Sequence, residues 1–543
     1  MDEEMENHKV NGSFEWIRKS SIPAGRHLIK LVWVFKVKRD GRLKSRLCVQ
    51  GCAQTKGVDF DQTYSGALRS TSLRALASLA ARRDLKLHRW DFVSAYLQGE
   101  LEIGEAVYCH APPGYPRRDE AGHELVCKVV KPVYGMAQAG RRWQRSFFPW
   151  LKEYGFVASE SDSCLFTCTR TTIDSNGAPR EETLVVGVYV DDLACAYGFD
   201  DATSLYTHFT TALQERWKVE DEGELSDLLG IDFSISGGVV SLSQSKYIEK
   251  IAKTYLSENR SGSDRMPHKP SIDMDVADAV AQDAADIDPV LLNKYQSLVG
   301  ALIYCATNTR PDVAYAVGML SRAMGKPTDE LLLAAERVLW YLVRTKHLGL
   351  RYEASPKALH GYSDSDWAVK HSTSGWVFMM NRAAISWGSK KQKCVALSSC
   401  EAEIMAASQA AQESVHLSRL ESELGLASST STTPTELFVD NKSAIDVAYN
   451  PEHHGRMKHV ERKHFYVREL VEQHKLRVTF VSTDDNLSDF FTKPLKAHRF
   501  MSLRDKIMNV DPALRDGVES TGGRCNSADH DSMSNVMVRT VGT

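Results

Sequence analysis

The segment T-L-V-V-G-V-Y-V-D-D-L-A-C-A, residues 183–196, constrains the fold more than any other. It opens with a near-continuous apolar run that is rich in β-branched residues and too short to cross a bilayer. A run of this kind reads as a strand. Two adjacent carboxylates, Asp191 and Asp192, end it, and a second short apolar stretch follows. Side chains alternate along a strand, so both acids can approach one site only at a tight hairpin turn. Buried there, they need a cationic partner. Alone, an Asp-Asp pair more often caps a turn or a helix start.

A third acid, Asp91, closes another strand-like segment in H-R-W-D-F-V-S-A-Y-L-Q-G-E-L. Magnesium takes oxygen ligands and typically one or two protein carboxylates, completing its shell with phosphates and water. Two such ions can activate a hydroxyl and stabilise a leaving pyrophosphate. A formal net charge of −3 argues against a uniformly basic nucleic-acid binder, but the average hides strong patterning. Residues 18–46 carry ten Lys or Arg and one acid, Asp40, whereas residues 273–288 carry six Asp and no base. The eleven cysteines form no Cys-x-x-Cys pair, which points to reduced thiols in an intracellular protein. The acidic start is unlike a signal peptide, and no membrane association is expected.

The periodicities predict strands over residues 28–37 and 43–49 around an Asp-Gly turn, and a helix over 71–83. A strand over 87–92, the start of a helix over 93–98, and helices over 139–154 and 204–217 follow. Residues 290–344 read as mostly helical. From residue 359 the order is strand, strand, strand, helix, strand, two helices, strand and a short helix.

Several motifs carry a family resemblance. W-V-F-K-V-K at residues 33–38, L-K-S-R-L-C-V-Q-G at 43–51, the Asp91 motif, V-Y-G-M-A-Q-A-G-R-R-W at 133–143, D-S-C-L-F at 162–166 and Y-V-D-D at 189–192 occur in that order. Together they resemble the reverse transcriptase of copia-type LTR retrotransposon Pol polyproteins. The resemblance implies a right-hand polymerase with fingers, palm and thumb. Its palm carboxylates would be Asp91, Asp191 and Asp192, with Asp192 the least direct ligand. It also places Tyr96 where the incoming sugar is screened and Tyr134 and Gly135 on the nucleotide-pocket floor. Taken singly, Tyr96 fits an ordinary helix-face aromatic equally well. Lys36, Lys44 and Arg46 are candidates for triphosphate or template contacts, although each alone would be a solvated charge.

A second spaced set of acids follows: Asp364 in Y-S-D-S-D-W, Glu401 and Glu403 in S-C-E-A-E-I-M-A-A, Asp440 in F-V-D-N-K-S, and Asp489 in N-L-S-D-F-F-T-K-P-L. With the strand and helix order, they resemble the ribonuclease H domain of the same polyprotein, a ribonuclease H-like α/β fold. Glu403 is preferred to Glu401 because E-I-M-A-A resembles the family's helix, and Asp364 to Asp366 because it follows the first strand directly. The loop V-S-T-D-D-N lacks the histidine that many such nucleases carry. The run H-H-G-R-M-K-H-V-E-R-K-H at 453–464 suggests a basic helix against a duplex more than a zinc site. Tyr295 to Gly318 resembles the family's connection between the two enzymes.

The expected layout is therefore a disordered N-terminus (1–13), a reverse transcriptase (14–256), an acidic linker (257–290), a connection (291–358), a ribonuclease H-like domain (359–496) and a disordered tail (497–543). The family implies RNA-directed DNA polymerase and hybrid ribonuclease activities, with two Mg2+ (or Mn2+) ions per site. Expected partners are an RNA template, a DNA primer, the RNA–DNA hybrid and dNTPs, with integrase and capsid parts encoded elsewhere. Expected locations are a cytoplasmic particle or the nucleus. The competing expectation is an inactive or host-adopted copy that binds nucleic acid without polymerising.

Overall fold

The computed structural model describes residues 1–514 except 38–40, 103, 175, 257–268, 271, 273–275, 281–286, 368–371, 427–432 and 450–462. Most of the expected acidic linker, the basic run at 453–462 and the tail beyond 514 lie outside the described residues. The chain divides into two compact units, residues 1–228 with 415–432, and 229–414 with 433–543. The architecture is mixed α/β throughout, the fold class expected from the sequence.

The first unit is organised by an antiparallel six-stranded sheet in the order Val219–Glu224, Lys86–Phe92, Asp192–Tyr197, Pro179–Tyr189, Leu165–Ile173, Val157–Ala158. The apolar run at 184–188 is fully buried because both faces of its strand are covered. Leu184, Val186 and Val188 join an aromatic cluster with Phe92, Trp143, Phe147, Phe209 and Trp217. On the opposite face Gly187 packs closely against Leu68, whose Cδ2 would lie 2.9 Å from a Cβ at that position, beside the chain entering helix Ser70–Arg83. Helix Ala139–Tyr154 has the bounds its periodicity predicts. A separate hairpin pairs Leu31–Val37 with Leu43–Val49.

Three expectations about the ends and boundaries change. Residues 2–10, expected to be disordered, form helix Asp2–Val10. Its polar composition conceals specific docking contacts. His8 is buried and stacks on Phe14, Glu4 accepts from the Leu47 amide, and Asn7 donates to Ser94. At the other end, helix Ala497–Met508 replaces expected disorder, since Phe500, Leu503, Ile507 and Met508 form a buried stripe at helical spacing. Residues 229–256, expected with the polymerase, cluster with the second unit because strand Val239–Ser243 pairs with Leu350–Glu353.

The second unit carries helices Pro289–Asn308, Ala314–Ser321 and Asp329–Arg344. They enclose Arg310 of the T-R-P-D segment, which donates to Asp312 and Thr345, while Tyr341 donates to the same aspartate. A five-stranded sheet follows in the order Ala383–Lys391, Thr373–Met380, His360–Asp366, Thr435–Val439, Leu476–Phe480. The first three strands run antiparallel, the Thr435 strand pairs parallel to the His360 strand, and the Leu476 strand pairs parallel to the Thr435 strand. Ser363 lies opposite Val439, so Asp364 and Asp440 emerge at the carboxyl ends of adjacent parallel strands. Open α/β sheets place their ligand crevices there.

Candidate active sites

Sheet register assembles the acids of the first unit. Asp192 lies opposite both Tyr189 and Asp91 on its two neighbouring strands. Val190 and Asp191 are thus the two central residues of a tight hairpin. Val190 has φ +57°, whereas Asp191 keeps a negative φ, the pattern of a type II′ turn that ordinarily takes glycine at its first central position. A β-branched residue there is strained. Two hydrogen bonds hold the turn: Trp143 Nε1 donates to the Val190 carbonyl at 2.6 Å, and the Phe92 amide donates to the Asp191 carbonyl at 2.8 Å.

The carboxylates are not equivalent. Asp91 is pushed up to about 6, first by burial and then by Asp191 and Asp192. Burial also raises Asp192, but Arg89 lies 2.7 Å away and offsets much of that rise. Arg89 precedes Asp91 by two residues, so both project from one face of the strand. Asp192 is therefore engaged by a protein cation.

Beside the acids, Tyr96 and Tyr134 pack with ring centroids 4.8 Å apart, and the Arg46 guanidinium lies 4.7 Å from the Tyr134 ring centroid. Burial, then the nearby Asp191, raises the Tyr96 hydroxyl. Gly135 has φ +85°, and a Cβ there would lie 2.2 Å from the Val49 carbonyl oxygen. The Val49 amide in turn donates to the Tyr134 carbonyl at 2.8 Å. These contacts lock the Tyr134 loop to the base of the hairpin. Lys36 stands directly opposite Lys44, and Arg46 shares their face. Like charges directly opposed destabilise a strand pair.

In the second unit Asp364, Glu403 and Asp440 each present an oxygen, and these atoms lie within 4.8 Å of one another. Among the described residues no other trio of His, Cys, Asp or Glu meets that distance. Asp364 and Glu403 are buried and both pushed well above the carboxylate range, first by burial and then by neighbouring acids. Glu403 Oε2 has no hydrogen-bond partner, and its Oε1 accepts only weakly from the Ser365 amide at 3.2 Å. An orphaned buried carboxylate oxygen amid like charges fits a divalent cation, which would supply the missing partner.

Glu401 turns elsewhere and accepts from the Leu397 amide at 2.7 Å. Asp489 does not join the trio. Lys493 and Arg499 hold it instead. Arg89, Trp143 and Lys493 thus belong to the two sites although the sequence reading gave them no role. Their signal was their position inside the motifs H-R-W-D, R-R-W and T-K-P-L.

The chain is 33% identical over 513 residues to the retrovirus-related Pol polyprotein from transposon TNT 1-94 of Nicotiana tabacum, covering 92% of this chain and 37% of that protein. It is 30% identical over 331 residues to a transposon Ty5-1 protein of Saccharomyces cerevisiae, covering 60% of this chain and 99% of that protein. The chain belongs to the copia-type retrotransposon Pol family. Its residues 15–264 match the family described as reverse transcriptase (RNA-dependent DNA polymerase), a span that includes Asp91, Asp191 and Asp192. The acids of the second unit lie beyond that span. Among solved structures, a foamy viral protease-reverse transcriptase in complex with double-stranded DNA is 14% identical, with a TM-score of 0.48 over 88% of this chain and 68% of that one. The chain spans little more than a third of the Nicotiana tabacum relative. Among the described residues, no helix is long and apolar enough to cross a membrane.

Proposed function

We propose that this chain is an RNA-directed DNA polymerase with ribonuclease H activity that serves retrotransposon replication. The observation that carries the reading is the pairing of two separate acid sets in one chain. One set lies on the hairpin inside the reverse transcriptase span, and the other at the carboxyl ends of parallel strands. Asp91 and Asp191 would hold divalent ions, Mg2+ or Mn2+, in the first unit, with Asp192 held back by Arg89. Asp364, Glu403 and Asp440 would do so in the second. Such ions activate an oxygen nucleophile and stabilise a leaving oxygen.

The protein's own groups supply position and charge. Lys36, Lys44 and Arg46 would attract the dNTP triphosphate or the template backbone, without sequence specificity. Tyr96 and Tyr134 would form the wall and floor beside the incoming sugar. The partners are then an RNA template, a DNA primer, dNTPs and the product hybrid. The remainder of a longer polyprotein, including integrase and capsid parts, would act alongside it inside the cell.

Primer extension on poly(rA)/oligo(dT) with magnesium tests the polymerase, and cleavage of a labelled RNA–DNA hybrid tests the nuclease. Asp191→Asn should abolish extension and spare cleavage, and Asp440→Asn should do the reverse. Folded wild-type protein that binds the hybrid but neither extends nor cleaves it would identify a binding-only copy and refute the proposal.

A further inference from the structure

Helix Asp2–Val10 inverts the usual pattern of a surface helix. Glu4, Asn7, His8 and the C-cap Asn11 recur at i, i+3, i+4 and i+7, the spacing of the face that such a helix normally buries with apolar residues. Here that polar stripe faces the protein, with His8 at 2% exposed, while Val10 is 69% exposed. Met5 packs partly buried against the neighbouring core. The helix is otherwise held by directed polar contacts, which specify one geometry where apolar packing would specify only proximity.

Those contacts reach both walls of the nucleotide pocket. Glu4 Oε1 accepts from the Leu47 amide at 3.3 Å, next to Arg46, whose guanidinium lies over the Tyr134 ring. Asn7 Nδ2 donates to Ser94 Oγ at 3.0 Å. The Asn7 amide is itself oriented, because Asn11 Nδ2 donates to Asn7 Oδ1 and to the Asn7 carbonyl, each at 2.8 Å. Its oxygen is thereby occupied, and its NH2 group is turned to Ser94.

Ser94 is where support matters. It lies between Asp91 and Tyr96 and has φ +54° and ψ +51°, the left-handed region that favours glycine. Its carbonyl accepts from the Leu97 amide at 2.9 Å and so starts the short 3-10 helix Ala95–Gln98, which carries Tyr96. Gln98 anchors the far end of this turn by donating to the Val93 and Lys218 carbonyls, both at 2.9 Å. A Ser94 relaxed to negative φ would redirect the chain two residues before Tyr96 and move that ring from its place 4.8 Å from Tyr134.

We propose that Asn7 is a positioning residue for sugar selection. By holding Ser94 in its left-handed conformation, it sets Tyr96 against the 2′ position of the incoming nucleotide, so that deoxyribonucleotides are preferred to ribonucleotides. This deepens the polymerase half of the function proposed above and rests on it, and on Tyr96 standing beside the sugar. Asn7 acts only through Ser94.

The test uses the full chain extending oligo(dT) on poly(rA) with dUTP or UTP, which differ only in the 2′-hydroxyl. The ratio of their kcat/KM values is the selectivity, and melting curves confirm folding. Asn7→Ala should lower the selectivity at least roughly fivefold, the worth of one ordinary hydrogen bond. Ser94→Ala removes the same bond from the other side and should do likewise. Asn7→Ala/Ser94→Gly should restore selectivity, because glycine adopts the turn without support. Tyr96→Ala should lower selectivity at least as far as Asn7→Ala. A folded Asn7→Ala or Ser94→Ala with wild-type selectivity would overturn the proposal, even if both nucleotides were used more slowly, since that marks a merely structural contact. A double variant no more selective than Asn7→Ala would overturn it too. Tyr96→Ala that selects as well as wild type would refute the placement of Tyr96, and the sugar role of Asn7 with it. Wild-type protein that extends with neither nucleotide would refute the polymerase reading itself, together with this inference.

Discussion

Replacing Trp143 by phenylalanine removes one N–H and leaves most of the aromatic packing in place. That N–H donates to the Val190 carbonyl at 2.6 Å, in a turn where a β-branched residue holds φ +57°. A half-buried carbonyl left without its donor costs toward the low end of about 1–3 kcal/mol. The positive φ stores about 1–3 kcal/mol of strain that the donor helps to hold. Losing about 2 kcal/mol of support lowers the ratio of competent to misplaced turns roughly 30-fold, since about 1.36 kcal/mol is a factor of ten. In primer extension, kcat should fall by up to about that factor, while KM for dNTP should change less than about threefold. The smaller ring also leaves a gap against Phe92 and Phe147, costing about 1–2 kcal/mol of global stability. Val190→Gly separates the two effects. Glycine adopts the turn without strain, so Trp143→Phe/Val190→Gly should recover at least about tenfold in kcat, while its melting temperature stays low. The reasoning fails if Trp143→Phe extends at the wild-type rate, or if the double variant is no faster than the single one.

Other outcomes follow from the same structure. Gly135→Ala combines a positive φ with a Cβ 2.2 Å from a backbone oxygen, so chemical denaturation should show a loss of about 3 kcal/mol or more. Asp91, raised to about 6, favours a protonated folded state; its stabilising contribution is full below the ordinary carboxylate range and is lost as pH rises through about 6. Metal-free protein melted across that window should therefore gain stability from Asp91 as the pH falls. Asp91→Asn or saturating Mg2+ should remove the gain. Lys36→Gln/Lys44→Gln removes two positive charges from one face of the hairpin. It should weaken template binding and reduce the slope of log affinity against log salt by about one to two, read by fluorescence anisotropy.

The sequence by itself determined the local elements and the inventory of the sites. The apolar run before Asp191 had to be a strand, and helix 139–154 followed from its periodicity, because both patterns act over a few residues. The acid sets were legible for the same reason: each acid ends a strand or opens a helix, and the motifs fix their order. Composition misled where polar segments dock through a few specific contacts, as in residues 2–10 and 497–508. Only the tertiary structure decided which acids converge and what neutralises them. Spacing put Glu401 and Glu403 two residues apart, but packing turned one toward Asp364 and Asp440 and the other toward the Leu397 amide. Arg89 on Asp192, Arg499 on Asp489 and Trp143 on Val190 are contacts between separate elements of the chain. They depend on sheet register and helix docking, and no local pattern encodes these. The strain at Val190 is the clearest case: the four letters Y-V-D-D name the turn, but the tryptophan that holds it comes from another helix.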